Sequence, residues 1–420
     1  MKVAVFGLGY VGSVTAAALA RDGHEVTGVD VARAKIESIR AGRSPVLEPG
    51  VDEIVAEACA AGRLRATEDP AEGLEGARLS LICVGTPSRP DGSLDLSYVE
   101  EVAAQIGSKL QLTADEHRVV VRSTVLPGST RTAVLPAIET ASGRRAGEGW
   151  DLCTNPEFLR EGTSLRDYDA PPRILVGERV PGAGDPVLEL YAGIDAPRFS
   201  VPLEVAEAIK YTDNAFHALK VTFANEVARV WEAAGAEPER VLEIFARDTK
   251  LNASPAYLRP GFAFGGSCLP KDLRALTSAA RARHVRIPVL DSVLASNEVV
   301  VENALAAVIA TGARRAALLG LAFKAGTDDL RESPLLALAK RMIGEGIELS
   351  IHDPAVLLSR LHGSNRAFLE RELPHINRLL AASSDEAVAG AELVVVGHRI
   401  PEYAREAEWQ AQGKRVLHLA

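Results

Sequence analysis

Two stretches of this chain repeat one pattern. "MKVAVFGLGYVG" (1–12) and "RRAALLGLAFKAG" (314–326) each run a short apolar segment into glycine. "HEVTGVD" (24–30) is echoed by "GIELSIHD" (346–353), and "GARLSLICVG" (76–85) by "GAELVVVG" (390–397). The spacing repeats too: Gly7 to Gly76 is 69 residues and Gly320 to Gly390 is 70. A short apolar run ending at glycine reads as a parallel strand buried on both faces. The alanine-rich segment after Gly12 reads as the helix of a β-α-β unit, and further strands are expected at 78–85 and 117–124. Such alternation builds a doubly wound parallel sheet, and its return near residue 314 builds a second one.

Between the repeats the pattern changes. Val205 to about Ala234 contains no glycine or proline and reads as one long helix, followed by a helical stretch from Pro238 to about Asp248. Residues 253–272 are rich in proline and glycine and read as a loop, after which helical character runs to about Thr311. The expected fold is therefore α/β: two Rossmann-like doubly wound domains (1–200 and 313–420) joined by a helical central domain (201–312) with a long helix.

A chain of 420 residues is long enough for several cores. Its net charge of −9 lacks the basic surplus of nucleic-acid binders, so nucleic acid is not an expected partner. Cys59, Cys83, Cys153 and Cys268 are far apart with no C-x-x-C pair, which argues against a disulfide framework and a structural zinc site, and no metal is expected. The first residues lack a signal-peptide core, and no stretch reads as a membrane span. The expectation is a cytoplasmic protein with reduced thiols and no membrane partner.

Gly7, Gly9 and Gly12 form G-x-G-x-x-G between strand and helix, and Asp30 ends the next strand, 18 residues after Gly12. The first glycine makes the turn, the second admits a pyrophosphate, and the third packs helix on strand. The helix N-terminus then receives the pyrophosphate. A carboxylate at Asp30 accepts from a ribose 2′-OH and repels a 2′-phosphate, pointing to NAD over NADP. A flavin or nucleotide-sugar site on the same fold is the alternative. Thr86 and Thr124 follow predicted strand ends, where ligands lie in such sheets; each is equally suited to capping a helix.

On the long helix, Lys210, Asn214, His217, Val221 and Asn225 fall within an arc of about 80° at 100° per residue. The stripe reads either as a solvated face or as a surface for a polar ligand. "GFAFGGSCLPKD" (261–272) places Cys268 after a glycine pair and before Lys271 and Asp272. A thiolate attacks a carbonyl, and positive charge from Lys271 and Lys210 would lower the thiol pKa from about 8.5. With NAD nearby, this suggests aldehyde oxidation through a thiohemiacetal and a thioester, with Asp272 orienting or deprotonating the water. The glycines are expected to pack on substrate. Lys210 and Asn214 are suited to stabilising an oxyanion. The other reading of Cys268, and the one held for the remaining cysteines, is a buried structural thiol.

These stretches together resemble the nucleotide-sugar 6-dehydrogenases over nearly the whole chain. The markers are "FGLGYVG", "VGTPS", "RSTVLPG", "TNPEFLREG", "EAIKYTDNAFHALKVTFANE", "GFAFGGSCLPKD" and "GLAFKAGTDDLRESP". "SPVLEPG", "FAFGGSCLPKD" and "AFKAGTDDLRESP" look most like the branch acting on GDP-mannose. The resemblance implies oxidation of a sugar C6 alcohol to a carboxylate with two NAD⁺, with Cys268 as nucleophile. It implies NAD contacts at Tyr10, Val11, Asp30, Lys35, Thr86, Thr124, Lys271 and Arg331. It places Glu161, Lys210, Asn214, His217 and Asn225 around the sugar. Tyr257, Leu258, Arg259, Pro260, Gly261, Phe262 and Gly265 would form the substrate loop, and Lys324 would add a nucleotide-sugar contact. It further implies a homodimer or higher oligomer with a shared active site, Arg259 reaching across. Ala256, Asp213, His398 and Arg399 depart from the pattern. The same chemistry on UDP-glucose or a UDP-N-acetylhexosamine is the alternative; a two-electron hydroxyacid dehydrogenase and a non-catalytic nucleotide-sugar binder are weaker rivals.

Overall fold

The structure, a computed structural model, describes the chain except residues 92, 111–115, 255–260, 267–268, 328–329, 357–370, 374–375 and 420 and the side chain of residue 377. It forms two compact units, Met1–His217 and Ala218–Ala420.

Among the described residues, the first unit holds an eight-stranded sheet. Its strands are β1 (Lys2–Phe6), β2 (Glu25–Val29), β3 (Leu64–Thr67), β4 (Leu79–Ile82), β5 (His117–Val121), β6 (Trp150–Thr154), β7 (Ile174–Glu178) and β8 (Arg198–Pro202). Their order is β3-β2-β1-β4-β5-β6-β7-β8, and every pair is parallel except β6 with β7. Side chains alternate across β1: Val3 and Val5 enter one apolar cluster, Ala4 and Phe6 the other. Both faces are covered, which is why the strand reads as an unbroken apolar run. The register pairs Phe6 with Val29 and with Ile82, so Gly7, Asp30 and the segment leading to Thr86 leave the sheet at one end. That end, between β1 and β4, is where strand order reverses, the place at which open α/β sheets bind ligands.

The second unit carries β9 (Arg315–Leu319), β10 (Glu348–His352), β11 (Leu393–Val396) and β12 (Arg415–His418), all parallel, in the order β10-β9-β11-β12. The sequence repeat is also a repeat of hydrogen bonds. Gly7 N–H donates to Val29 O and Gly320 N–H to His352 O, both at 2.8 Å. Leu8 N–H donates to Asp30 Oδ2 at 2.6 Å, and Leu321 N–H to Asp353 Oδ2 at 2.8 Å. Ala32 N–H and Ala355 N–H bind the other oxygens, at 2.7 and 3.0 Å. Each carboxylate thus fastens the end of the second strand to the glycine turn of the first.

The long helix spans Leu203–Ala233, and shorter helices follow at Pro238–Phe245, Leu269–Ala282 and Pro288–Ala310. The helix from Leu269 begins inside the stretch read as loop. Its first turn contains Pro270, which has no N–H to satisfy, and Asp272, which complements the helix dipole. A second correction concerns Pro288–Ala310: its 23 residues are apolar and long enough to cross a bilayer by length and composition. Its acids obscured this in the sequence; Asp291 pairs with Arg281 and Glu298 with Arg341. Val301, Ala304 and Val308 on this helix pack into the core beside the second sheet.

Candidate active site

The three glycines of the first turn answer to different demands. Gly7 has φ +94°, and a Cβ there would come within 2.9 Å of Val84. A Cβ on Gly12 would stand 1.8 Å from Gly7 O, so helix and strand touch at that point. A Cβ on Gly9 would meet nothing within 4 Å. Nothing inside the protein requires glycine there, and close approach of a pyrophosphate does. The helix Tyr10–Arg21 starts at Gly9 with no side-chain cap and no acid in its first turn, leaving the N–H groups there, Tyr10 and Val11 among them, suited to an anion.

Asp30 is buried, and its Oδ2 also accepts from Lys35 Nζ at 2.9 Å. Three protein donors leave this carboxylate one of roughly four acceptor positions for a ribose hydroxyl. Thr86 follows β4 and Thr124 follows β5; Thr86 Oγ donates to Thr124 O at 2.9 Å, tying the two loops together. The residues present therefore fit a dinucleotide.

Lys210 is the buried member of the helix stripe. Its Nζ lies 2.9 Å from Glu157 Oε1 and 5.5 Å from the centre of the Phe158 ring. Glu157 in turn accepts from Leu159 N–H at 2.7 Å. Arg173 stacks on the same ring at 4.6 Å and pairs with Asp213, which accounts for the unexpected acid beside the stripe. Asn214, His217, Val221 and Asn225 are exposed, as is Glu161 at the end of the irregular segment after β6.

In the second unit, Tyr257, Leu258, Arg259, Pro260 and Cys268 lie outside the described residues, with Ala256. The adjoining loop is gripped by its own unit. Asn297 Nδ2 donates to Phe264 O and Phe264 N–H donates to Asn297 Oδ1, both at 2.9 Å. A Cβ on Gly265 would come 2.2 Å from Glu332 O, and one on Gly266 2.9 Å from the Phe323 ring. The glycine pair therefore packs on 323–334, the stretch that also carries Lys324 and Arg331. Phe262 packs against the apolar cluster of this unit, while Gly261, Lys324 and Arg331 are exposed. Lys271 is ion-paired with Asp272.

The remaining cysteines behave as packing residues. Burial pushes the thiols of Cys83 and Cys153 up to about 12, and Cys153 Sγ donates to Ala183 O at 3.3 Å. Sequence reasoning did not single out Glu157, Asn297 or Glu48. Each had a faint signal: an acid inside "TNPEFLREG", an amide within an apolar helix, an acid between two prolines.

Comparison with known proteins places these features. Residues 1–195 match the NAD binding domain of the UDP-glucose/GDP-mannose dehydrogenase family, 204–299 its central domain and 317–418 its UDP binding domain. The chain is 48% identical to a GDP-mannose 6-dehydrogenase of Pseudomonas putida, over 100% of this chain and 96% of that one. It is 34% identical to a UDP-glucose 6-dehydrogenase of Haloferax volcanii, over 99% and 96%. A ternary complex of GDP-mannose dehydrogenase from Pseudomonas aeruginosa superposes with TM-score 0.96 at 46% identity, covering 100% of this chain and 96% of that one. A UDP-glucose dehydrogenase from Pyrobaculum islandicum gives 0.58 at 34% identity, covering 100% and 94%. With a glycine cradle fastened to a buried aspartate, a lysine held beneath a helix stripe and a match along its whole length, the chain belongs to the UDP-glucose/GDP-mannose dehydrogenase family.

Proposed function

We propose that this protein oxidises the C6 hydroxyl of GDP-mannose to a carboxylate, giving GDP-mannuronate. The full-length likeness to GDP-mannose 6-dehydrogenases, in sequence and in structure, carries this reading. The balance is one alcohol, two NAD⁺ and one water giving one carboxylate, two NADH and three protons. NAD⁺ supplies the hydride acceptor. Gly7, Gly9 and Gly12, with the N–H groups of Tyr10 and Val11, hold its pyrophosphate; Asp30 and Lys35 take the ribose. Thr86, Thr124, Lys271 and Arg331 complete the cofactor contacts.

Cys268 is the nucleophile. Its Sγ bonds to the C6 aldehyde carbon as a thiohemiacetal. Loss of hydride leaves a thioester, and water then displaces the thiol. In sequence Cys268 directly precedes the helix from Leu269, a position that favours a thiolate. Lys210, fixed by Glu157, and Asn214 donate to the oxyanion. Asp272 receives the proton of the attacking water. Glu161, His217, Asn225, residues 257–262, Gly265 and Lys324 surround the nucleotide sugar. The functional division 1–200, 201–312 and 313–420 fits the three matched domains. The free thiols of Cys59, Cys83 and Cys153 fit a cytoplasmic protein.

The test is stoichiometric. Wild-type protein is expected to form two NADH per GDP-mannose. Cys268→Ser, given the C6 aldehyde and NAD⁺, is expected to bind both and make no acid at a useful rate. Faster turnover of UDP-glucose would overturn the choice of substrate; full acid production by Cys268→Ser would overturn the nucleophile.

A further inference from the structure

The motif "SPVLEPG" (44–50) is not used by the chemistry above, yet it buries a charge. Glu48 is 6 % exposed although Leu47 beside it stands fully open. Its two oxygens gather three donors from two distant segments. Tyr10 Oη donates to Oε2 at 2.6 Å and Gly162 N–H to the same oxygen at 2.7 Å. Ser164 N–H donates to Oε1 at 2.9 Å. Burial alone would raise the Glu48 carboxyl; the hydrogen bonds from Tyr10, Gly162 and Ser164 outweigh it and hold the group below its usual range. The Tyr10 hydroxyl is pushed up to about 12, by burial and by the neighbouring carboxylate.

The loop that delivers Glu48 is stiff. Ser44 N–H donates to Asp52 Oδ1 at 2.7 Å, Ser44 Oγ donates to Val46 O at 2.8 Å, and Pro45 and Pro49 flank the turn. The two partners differ in rigidity. Tyr10 opens a helix whose next turns are buried in the core. Residues 155–160 have no regular structure, yet carry Glu157, the partner of Lys210, and lead directly to Glu161. A carboxylate joining the two transmits position from the helix to the loop.

We propose that Glu48 is a positioning residue: braced by Tyr10, it fixes the 157–164 segment and with it Glu157 and Glu161. This rests on the reading that the first helix holds NAD and that the segment faces the sugar. It places the effect of Glu48 on the sugar step and not on cofactor binding. Glutamine is the informative replacement, because it keeps the volume but turns an N–H₂ toward one of the three donors.

The experiment compares wild type, Glu48→Gln, Tyr10→Phe and the double variant, with kcat normalised to folded protein. Glu48→Gln is expected to lower kcat with GDP-mannose by about tenfold or more, the scale of a misplaced reactive group. NADH affinity, read by NADH fluorescence, should change by less than about threefold, a free-energy change under half of that tenfold step. Tyr10→Phe should move kcat the same way by less, and the double variant should be no worse than Glu48→Gln. A residue that only stabilises the fold would lower the melting temperature and leave this split flat. Amide hydrogen exchange at Gly162 and Ser164 gives a readout that needs no substrate, and should rise by about tenfold in Glu48→Gln. Unchanged exchange, an unchanged kcat, or a larger effect on NADH than on turnover would each overturn the proposal. A wild type that turns over no nucleotide sugar would overturn the functional reading instead, and the exchange measurement would still decide the role of Glu48.

Discussion

Gly9 and Gly12 stand three residues apart in one motif, and replacing each by alanine separates two demands that the motif combines. At Gly12 the new methyl would meet the carbonyl of Gly7, backbone that cannot step aside. Gly12→Ala is expected to cost about 3 kcal/mol or more of stability, the upper end of overpacking penalties, read as a lower denaturation midpoint. At Gly9, φ is −73° and the space is open, so the methyl strains nothing in the protein. Gly9→Ala is expected to melt with wild type but to bind NADH about tenfold or more weakly, a loss of about 1.4 kcal/mol. If both variants lose stability alike, the open space at Gly9 is not a ligand's. The glycine pattern is legible in sequence because all three residues sit on one strand-turn-helix, although Gly7 and Gly12 also pack against Val84 and Cys83 after β4.

At the scale of elements, the long helix works through two buried glutamates. Glu207 accepts from Gly128 N–H at 2.6 Å and Thr130 N–H at 2.8 Å, at the start of the helical segment after β5. Glu226 accepts from Val289 N–H and Leu290 N–H, both at 2.9 Å, at the start of the helix Pro288–Ala310. Each supplies from a distance the cap that the receiving helix lacks in its own sequence. Asn297 does the same for the loop before Cys268. Asn297→Leu removes both partners of the half-buried Phe264 N–H and C=O, a cost of about 1 kcal/mol, the scale of a net hydrogen bond. The expected result is faster amide exchange at Phe264 together with a lower kcat; an unchanged kcat would mean the loop holds its place without this amide. None of these partnerships was legible beforehand, since Asn297 and Phe264 are 33 residues apart and the amide has no local pattern. The strands divide in the same way. β1, β2, β4 and β9–β11 announce themselves as apolar runs leading into a glycine or an aspartate, and β5 as an apolar run leading into Arg122-Ser123-Thr124. β3, β6, β8 and β12 lack such an ending and β7 carries its glycine inside the strand, so pairing within the sheet and not a local pattern identifies these five.

For the molecule as a whole, pH is the clearest lever. His117 Nδ1 donates to Ala77 O at 2.9 Å and Nε2 accepts from Ser80 Oγ at 2.7 Å, which uses both nitrogens in the neutral form. Burial, opposed by the carbonyl and assisted by Arg118, lowers its pKa from 6.5 to about 4. The unfolded chain takes a proton near 6.5 that the folded one refuses. The contribution is complete above that pH and is lost as pH falls toward 4, by up to about 1.4 kcal/mol per pH unit. His24, also lowered by burial, adds to the same slope. His117→Gln should flatten the fall in unfolding free energy between pH 6.5 and 5; an unchanged slope would refute the assignment. Assembly is the second property at this scale. Val221, Ile244, Leu269 and Val299 are apolar and exposed at 61, 58, 59 and 48 %, residues of the kind an interface between copies would cover. Light scattering is expected to give at least a dimer; an active monomer would rule out a shared site, and with it the role of Arg259 across the interface. Finally, the twin fastenings at Asp30 and Asp353 bear on how cofactor preference is engineered. In the second sheet the same carboxylate fastens a turn where alanine, Ala322, stands in place of Gly9, and His398 Nδ1 lies 3.6 Å from it. The aspartate is therefore a rivet of the architecture whether or not a ribose is read. Exchanging Asp30 to admit a 2′-phosphate would pull that rivet, and poor kinetics in such a variant would report a loosened turn as readily as a rejected cofactor. A redesign that keeps Asp30 and works through Lys35 alters the charge at the site and leaves the joint intact.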